Sequence, residues 1–98
     1  MPVRPSPVIQ AVLVDDEQLA CDELSFLLKE FPDVEILAVG HNGVQAVDLV
    51  EEFEPDLLFL DVQMPGMDGI SVIRALREKQ ASLPYFVLVT AFDNYAVE

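Results

Sequence analysis

Four side chains in this 98-residue sequence have types and spacing that could do chemistry together: Asp15, Asp16, Asp61 and Thr90. Each stands at the end of an apolar run: Val8 to Val14 (apolar apart from Gln10), Leu57 to Leu60, and Tyr85 to Val89. Carboxylates brought together repel, and without a partner their pKa values rise. A divalent cation resolves that conflict. Mg²⁺ prefers oxygen ligands, usually one or two carboxylates with waters and phosphate oxygens, and Mn²⁺ accepts the same donors. A carboxylate is also a nucleophile toward phosphorus. Phosphoryl transfer asks for positioning and charge neutralisation more than for elaborate acid–base chemistry. One nucleophilic Asp, two acids that orient a metal and the Thr90 hydroxyl are a sufficient kit. Each member has a plainer reading on its own. Asp15 or Asp16 could cap a helix, Asp61 could be an ordinary loop acid, and Thr90 could bond to backbone. The combination is more specific than its members, because all four fall on one edge of one sheet.

The elements that must position them can be read from hydrophobic spacing. Val8 to Val14 fits a strand buried on both faces. Glu17 to Phe31 then places Ala20, Leu24, Leu27, Leu28 and Phe31 on one helical face. Val34 to Val39 predicts a second strand, closed by Gly40. Asn42 is a candidate N-cap for a helix that turns Ala46, Val47, Val50 and Phe53 inward and ends before Pro55. Leu57 to Leu60 predicts a short third strand stopping at Asp61. Val62 to Asp68 predicts a loop around Pro65-Gly66. Asp68 then caps a helix from Gly69 to about Lys79 with Ile73 and Leu76 inward, and Tyr85 to Val89 predicts a fourth strand. A further helix is expected to begin near Asp93. Strands alternating with helices imply an α/β fold with a parallel sheet covered on both faces. In the order 2-1-3-4, strands 1 and 3 are neighbours where the order reverses, which is where such sheets bind ligands.

Composition narrows the function. The net charge is −13, from 18 acidic and 5 basic residues. Such a surface repels phosphate backbones and anionic lipid, so direct binding to DNA or to a membrane is not expected. Most of these acids are expected to solvate helix faces. Cys21 is the only cysteine. It allows no disulfide within the chain and reads as a small core residue. His41 reads as a surface loop residue, and Met64 and Met67 as local packing around the Pro-Gly turn. Residues 1–7, with three prolines, read as a flexible lead-in, and 8–98 as one domain. No secretory signal and no apolar run of membrane-spanning length is visible, and a cytoplasmic location is expected.

Three stretches resemble a known family in order and spacing. They are Val14-Asp15-Asp16-Glu17, the run Leu60-Asp61-Val62-Gln63-Met64-Pro65-Gly66-Met67-Asp68-Gly69, and Val89-Thr90-Ala91. They resemble the receiver domains of two-component response regulators, and the resemblance covers residues 9–98. It implies a flavodoxin-like (CheY-like) fold, with Asp61 as phosphoacceptor and a sensor histidine kinase as donor. It further implies Asp16 as direct Mg²⁺ ligand, Asp15 assisting through water, and the backbone carbonyl of Gln63 as another ligand. Thr90 would bond the phosphoryl oxygen and report its presence, while the small Ala91 leaves the phosphate accessible. The chain would then be a signalling phosphoacceptor rather than an enzyme, catalysing at most its own phosphorylation and dephosphorylation. The ending from Thr90 to Glu98 resembles receivers of LytTR-class transcription regulators, in which a DNA-binding output domain follows.

The family continues through a fifth strand, a lysine at the end of that strand and a fifth helix. Lys29 and Lys79 belong to other elements, so no lysine here matches. The expectation is therefore a receiver truncated at its C-terminal side, with a bare edge at the fourth strand and a tendency to self-associate. Two rival readings are an interaction module that is not phosphorylated and a phosphatase of the haloacid-dehalogenase type. The second would want an acid where Gln63 stands, and its nucleophile near the first strand.

Overall fold

A computed structural model describes residues 8–79 and 83–89. Four strands and three helices alternate: β1 (Ile9–Val14), α1 (Gln18–Leu28), β2 (Val34–Gly40), α2 (Gly43–Phe53), β3 (Leu57–Asp61), α3 (Gly69–Lys79) and β4 (Tyr85–Val89). The sheet order is β2-β1-β3-β4 and every pairing is parallel. This is the expected flavodoxin-like α/β arrangement.

Alternation along the strands divides the core in two. Val12 and Val14 of β1 and Leu58 and Leu60 of β3 face α2 and α3. There they pack with Ala46, Val47, Val50, Val72, Leu76 and Met64. Burying each large side chain of this kind contributes roughly 1.5–3 kcal/mol, so this layer holds the molecule together. Leu13 and Phe59 alternate to the other face. They line a groove of about 390 Å³ beside α1, together with Leu24, Leu27 and Val89. Cys21 lies there too, buried as its small apolar character suggests.

The helix starts follow local chemistry. The Asn42 side chain accepts the Gln45 N–H at 2.8 Å, and Asp68 accepts the Ser71 N–H at 2.9 Å, so both expected caps are present. Glu17 occupies the N-cap position of α1 without a side-chain cap bond. α2 ends on Glu54 with a left-handed φ of 47°, a conformation that favours glycine. Gly66 meets the same requirement in the β3–α3 loop with φ of 85°.

Some packing expectations need correction. The first helix ends at Leu28, and Phe31 lies beyond it, 57% exposed. Leu27 is 58% exposed, because it borders the open groove and no described element covers it. Phe53, at the last turn of α2, is 37% exposed where that helix runs past the core. In α3 the fully buried position beside Leu76 is Val72, while Ile73 is half-buried. The expected lead-in over 1–7 and the helix near Asp93 lie outside the described residues.

Candidate functional site

β1 and β3 pair directly, with Val14 opposite Leu60. The residues that follow, Asp15 and Asp61, therefore stand side by side at one edge of the sheet, and Asp16 comes next. One carboxylate oxygen from each of the three lies within 4.8 Å of the others. Asp61 is the last residue of β3 and pairs with Val89 of β4. It is 8% exposed, Asp15 is half-buried and Asp16 is exposed. The burial of Asp61 has a local cause. The Val62 N–H continues the ladder to the Val89 carbonyl at 3.1 Å, and the Gly69 N–H returns to the Val62 carbonyl at 3.0 Å. α3 thereby starts hard against the Asp61 backbone. A Cβ at position 69 would sit 2.7 Å from the Asp61 carbonyl oxygen, so only glycine fits.

Asp61 carries the electrostatic strain of the cluster. Its pKa is pushed up to about 6 from a usual 3.8. Burial is the largest cause, followed by the Asp15 charge, with Asp16 adding to both the repulsion and a hydrogen bond that only the protonated acid can make. The Gln63 N–H opposes this by donating to Asp61 Oδ1 at 3.3 Å. That bond also holds the Gln63 backbone next to the carboxylate. Lys79 pairs with Glu51 at 3.1 Å on α2 and α3, so its charge is spent elsewhere.

The strand end that carries Asp15 and Asp16 is fixed on several sides. The Asp15 N–H donates to the Gly40 carbonyl at 3.1 Å, and Asp15 Oδ1 accepts the Glu17 N–H at 3.0 Å. The Asp15 carbonyl lies 3.1 Å from His41 Nδ1 and 3.5 Å from Cys21 Sγ. A carbonyl only accepts, so Nδ1 and the thiol are the donors. Burial and the nearby acids, Asp15 first, push the Cys21 thiol up and keep it protonated for that role. His41 and Cys21 are the residues that sequence reasoning left out of the site. For His41 the signal was topological: in the order 2-1, the residue after Gly40 lies beside the residue after Val14.

The donor set tests a cation directly. It holds three hard carboxylate oxygen donors at close range, one of them raised in pKa by its burial and then by the neighbouring acids. A hard divalent ion such as Mg²⁺ or Mn²⁺ suits that set. Asp15, Asp16 and Asp61 would hold it, with the Gln63 backbone adjacent. Thr90 follows Val89 directly in the sequence but lies outside the described residues.

The sequence pattern of the response regulator receiver domain matches residues 11–98. The chain belongs to the response-regulator receiver family. This receiver is 48% identical over 88 residues to an uncharacterized response regulatory protein of Vibrio cholerae, covering 89% of this chain and 33% of that protein. It is 41% identical over 91 residues to the transcriptional regulatory protein BtsR of Salmonella typhi, covering 93% of this chain and 37% of BtsR. The receiver thus spans about a third of the length of these relatives. Among solved structures, the signal receiver domain of NarL from Mycobacterium tuberculosis superposes with a TM-score of 0.80 at 30% identity. That match covers 93% of this chain and 73% of the other. No helix among the described residues is long and apolar enough to cross a membrane.

Proposed function

We propose that this receiver accepts a phosphoryl group from a sensor histidine kinase onto Asp61, with Mg²⁺ or Mn²⁺ bound, and thereby controls a DNA-binding output domain. The observation that carries the reading is the convergence of three carboxylates from two neighbouring strands within 4.8 Å at the switch point of the sheet. A bound divalent ion would supply the positive charge that lets phosphoryl oxygens approach these acids. The chain's own residues do the rest. Asp61 presents a carboxylate oxygen from a rigid strand end. That oxygen attacks phosphorus as the bond to the donor's leaving group breaks, giving an aspartyl phosphate. The Gln63 N–H on Oδ1 orients the carboxylate. Gly69 lets the start of α3 pack directly against the Asp61 backbone. By family resemblance Asp16 would be the direct cation ligand with Asp15 assisting through water, the Gln63 carbonyl would be a further ligand, and the Thr90 hydroxyl would bond the phosphoryl oxygen.

On this reading the chain is a phosphoacceptor that turns over nothing but its own phosphate. Control of transcription follows the role in BtsR's name, and the LytTR-like run from Thr90 to Glu98 points to the kind of output domain. The cytoplasm is where such a relay and its DNA target meet. Self-association is part of the proposal for the 98-residue chain. β4 is an edge strand among the described residues, with Leu88 45% exposed.

Acetyl phosphate with Mg²⁺ tests the reading on the full chain. Asp61 should be labelled alone, and Asp61→Asn, which keeps the shape, should abolish labelling. Full labelling of that variant would refute the assignment. Asp16→Ala should weaken Mg²⁺ binding at least tenfold, as loss of a direct charged ligand demands, and unchanged affinity would remove Asp16 from the site.

A further inference from the structure

We infer that His41 is a positioning residue for the acidic site: its Nδ1–H on the Asp15 carbonyl clamps the loop that presents Asp15 and Asp16. The inference rests on the cation-site reading of those acids and deepens it. β2 ends at Gly40, and the Asp15 N–H donates to the Gly40 carbonyl at 3.1 Å. The next residue, His41, just past β2, turns its ring back to the Asp15 carbonyl at 3.1 Å. One peptide segment is therefore gripped on its N–H and on its C=O by two consecutive residues at the same strand end. His41 is itself fixed. Its backbone N–H donates to Gln45 Oε1 at 2.7 Å, and Gln45 lies in the first turn of α2, which Asn42 caps. The ring is half-buried, which shields the bond from water.

The physical need for such a clamp is clear. Asp15 and Asp16 sit on an irregular stretch between β1 and α1, where their carboxylates lie close to that of Asp61 and like charges repel. Regular ladder bonds end at Asp15, and past that point the stretch is held by the Glu17 N–H on Asp15 Oδ1 and by the Cys21 thiol and the His41 ring on the Asp15 carbonyl. Outer partners that orient ligands control metal affinity as the ligands do. A donor on the Asp15 carbonyl sets the direction of the following peptide and so the place of Asp16. Both the Nδ1–H tautomer and the imidazolium provide this donor, so the clamp needs no change of protonation.

Three substitutions in the full chain separate a donor from a space-filler. The Asn amide nitrogen can occupy the place of Nδ1, so His41→Asn keeps a donor. His41→Phe keeps bulk without a donor, and His41→Ala removes both. Mn²⁺ affinity, read by paramagnetic resonance of the free ion, should fall roughly three- to tenfold in the Phe and Ala variants, the worth of one modest hydrogen bond, and stay within about twofold in the Asn variant. Exchange of the Asp15 amide, followed by NMR in a chelator, should speed up in Phe and Ala but not in Asn. This second reading needs no cation. Equal Mn²⁺ affinity and equal exchange across a binding wild type and all variants would overturn the clamp while leaving the cation site standing. A Phe variant that behaves as wild type would show that the ring merely fills space, and would overturn it too. A wild-type chain that binds no Mn²⁺ would overturn the cation reading and this inference together. If His41→Ala fails to fold, the Phe and Asn pair decides.

Discussion

The charge of Asp61 works against the fold that displays it. Its raised pKa means that the folded chain keeps the Asp61 proton to higher pH than the unfolded chain does. Between about 4 and about 6 the folded state therefore binds more protons, and stability falls as pH rises through that window and remains lower above it. In a chelator at pH 7.5, Asp61→Asn should stabilise the chain by about 1–3 kcal/mol, since each pKa unit corresponds to about 1.4 kcal/mol. Saturating Mg²⁺ should remove most of that difference. Chemical denaturation of both proteins with and without Mg²⁺ checks the point, and a less stable Asn variant in chelator would contradict it. The acids of the site were legible in the sequence because each ends an apolar run, and a parallel sheet delivers run ends to one edge. The support beneath them was not. His41 and Cys21 act on the Asp15 backbone carbonyl, and a bond to backbone leaves no matching side chain for a sequence pattern to reveal.

At the level of elements, helix starts connect the site to the core. α3 begins against the Asp61 carbonyl because Gly69 has no side chain. Gly69→Ala should push β3 and α3 apart, costing about 1–3 kcal/mol as overpacking does, and should slow labelling of Asp61 more than variants of equal ΔΔG far from the site do. Stopped-flow labelling beside thermal denaturation measures both. Normal kinetics would show that the loop absorbs the added methyl. Asn42→Ala removes the cap of α2 and should cost about 1 kcal/mol. Both caps and all four strands were readable from sequence, since side-chain oxygens before apolar spacing and short apolar runs are local signals. The burial of Leu27, Phe31 and Phe53 was misjudged. Helical spacing says which residues share a face, but not where the helix stops or what lies opposite. α1 stops at Leu28, and the groove beside it is open among the described residues.

For the molecule as a whole, edge and charge compete. Among the described residues β4 is an edge strand with Val87 and Leu88 partly exposed, a template for another strand. A net charge of −13 keeps copies apart. The 98-residue chain should therefore associate more strongly as salt screens that repulsion, the Debye length shrinking from about 10 Å at 0.1 M to about 3 Å at 1 M. Light scattering across concentration and salt decides, and a monomer at high concentration in 1 M salt would show the edge to be closed. The lone thiol has a consequence of another kind. Cys21 is 2% exposed, donates to the Asp15 carbonyl and is held protonated. A maleimide reagent should find nothing to modify in the native protein and one target in each opened copy. Its rate of capture is then a clock for how often β1 and α1 part company. That clock should run slower whenever Mg²⁺ is present.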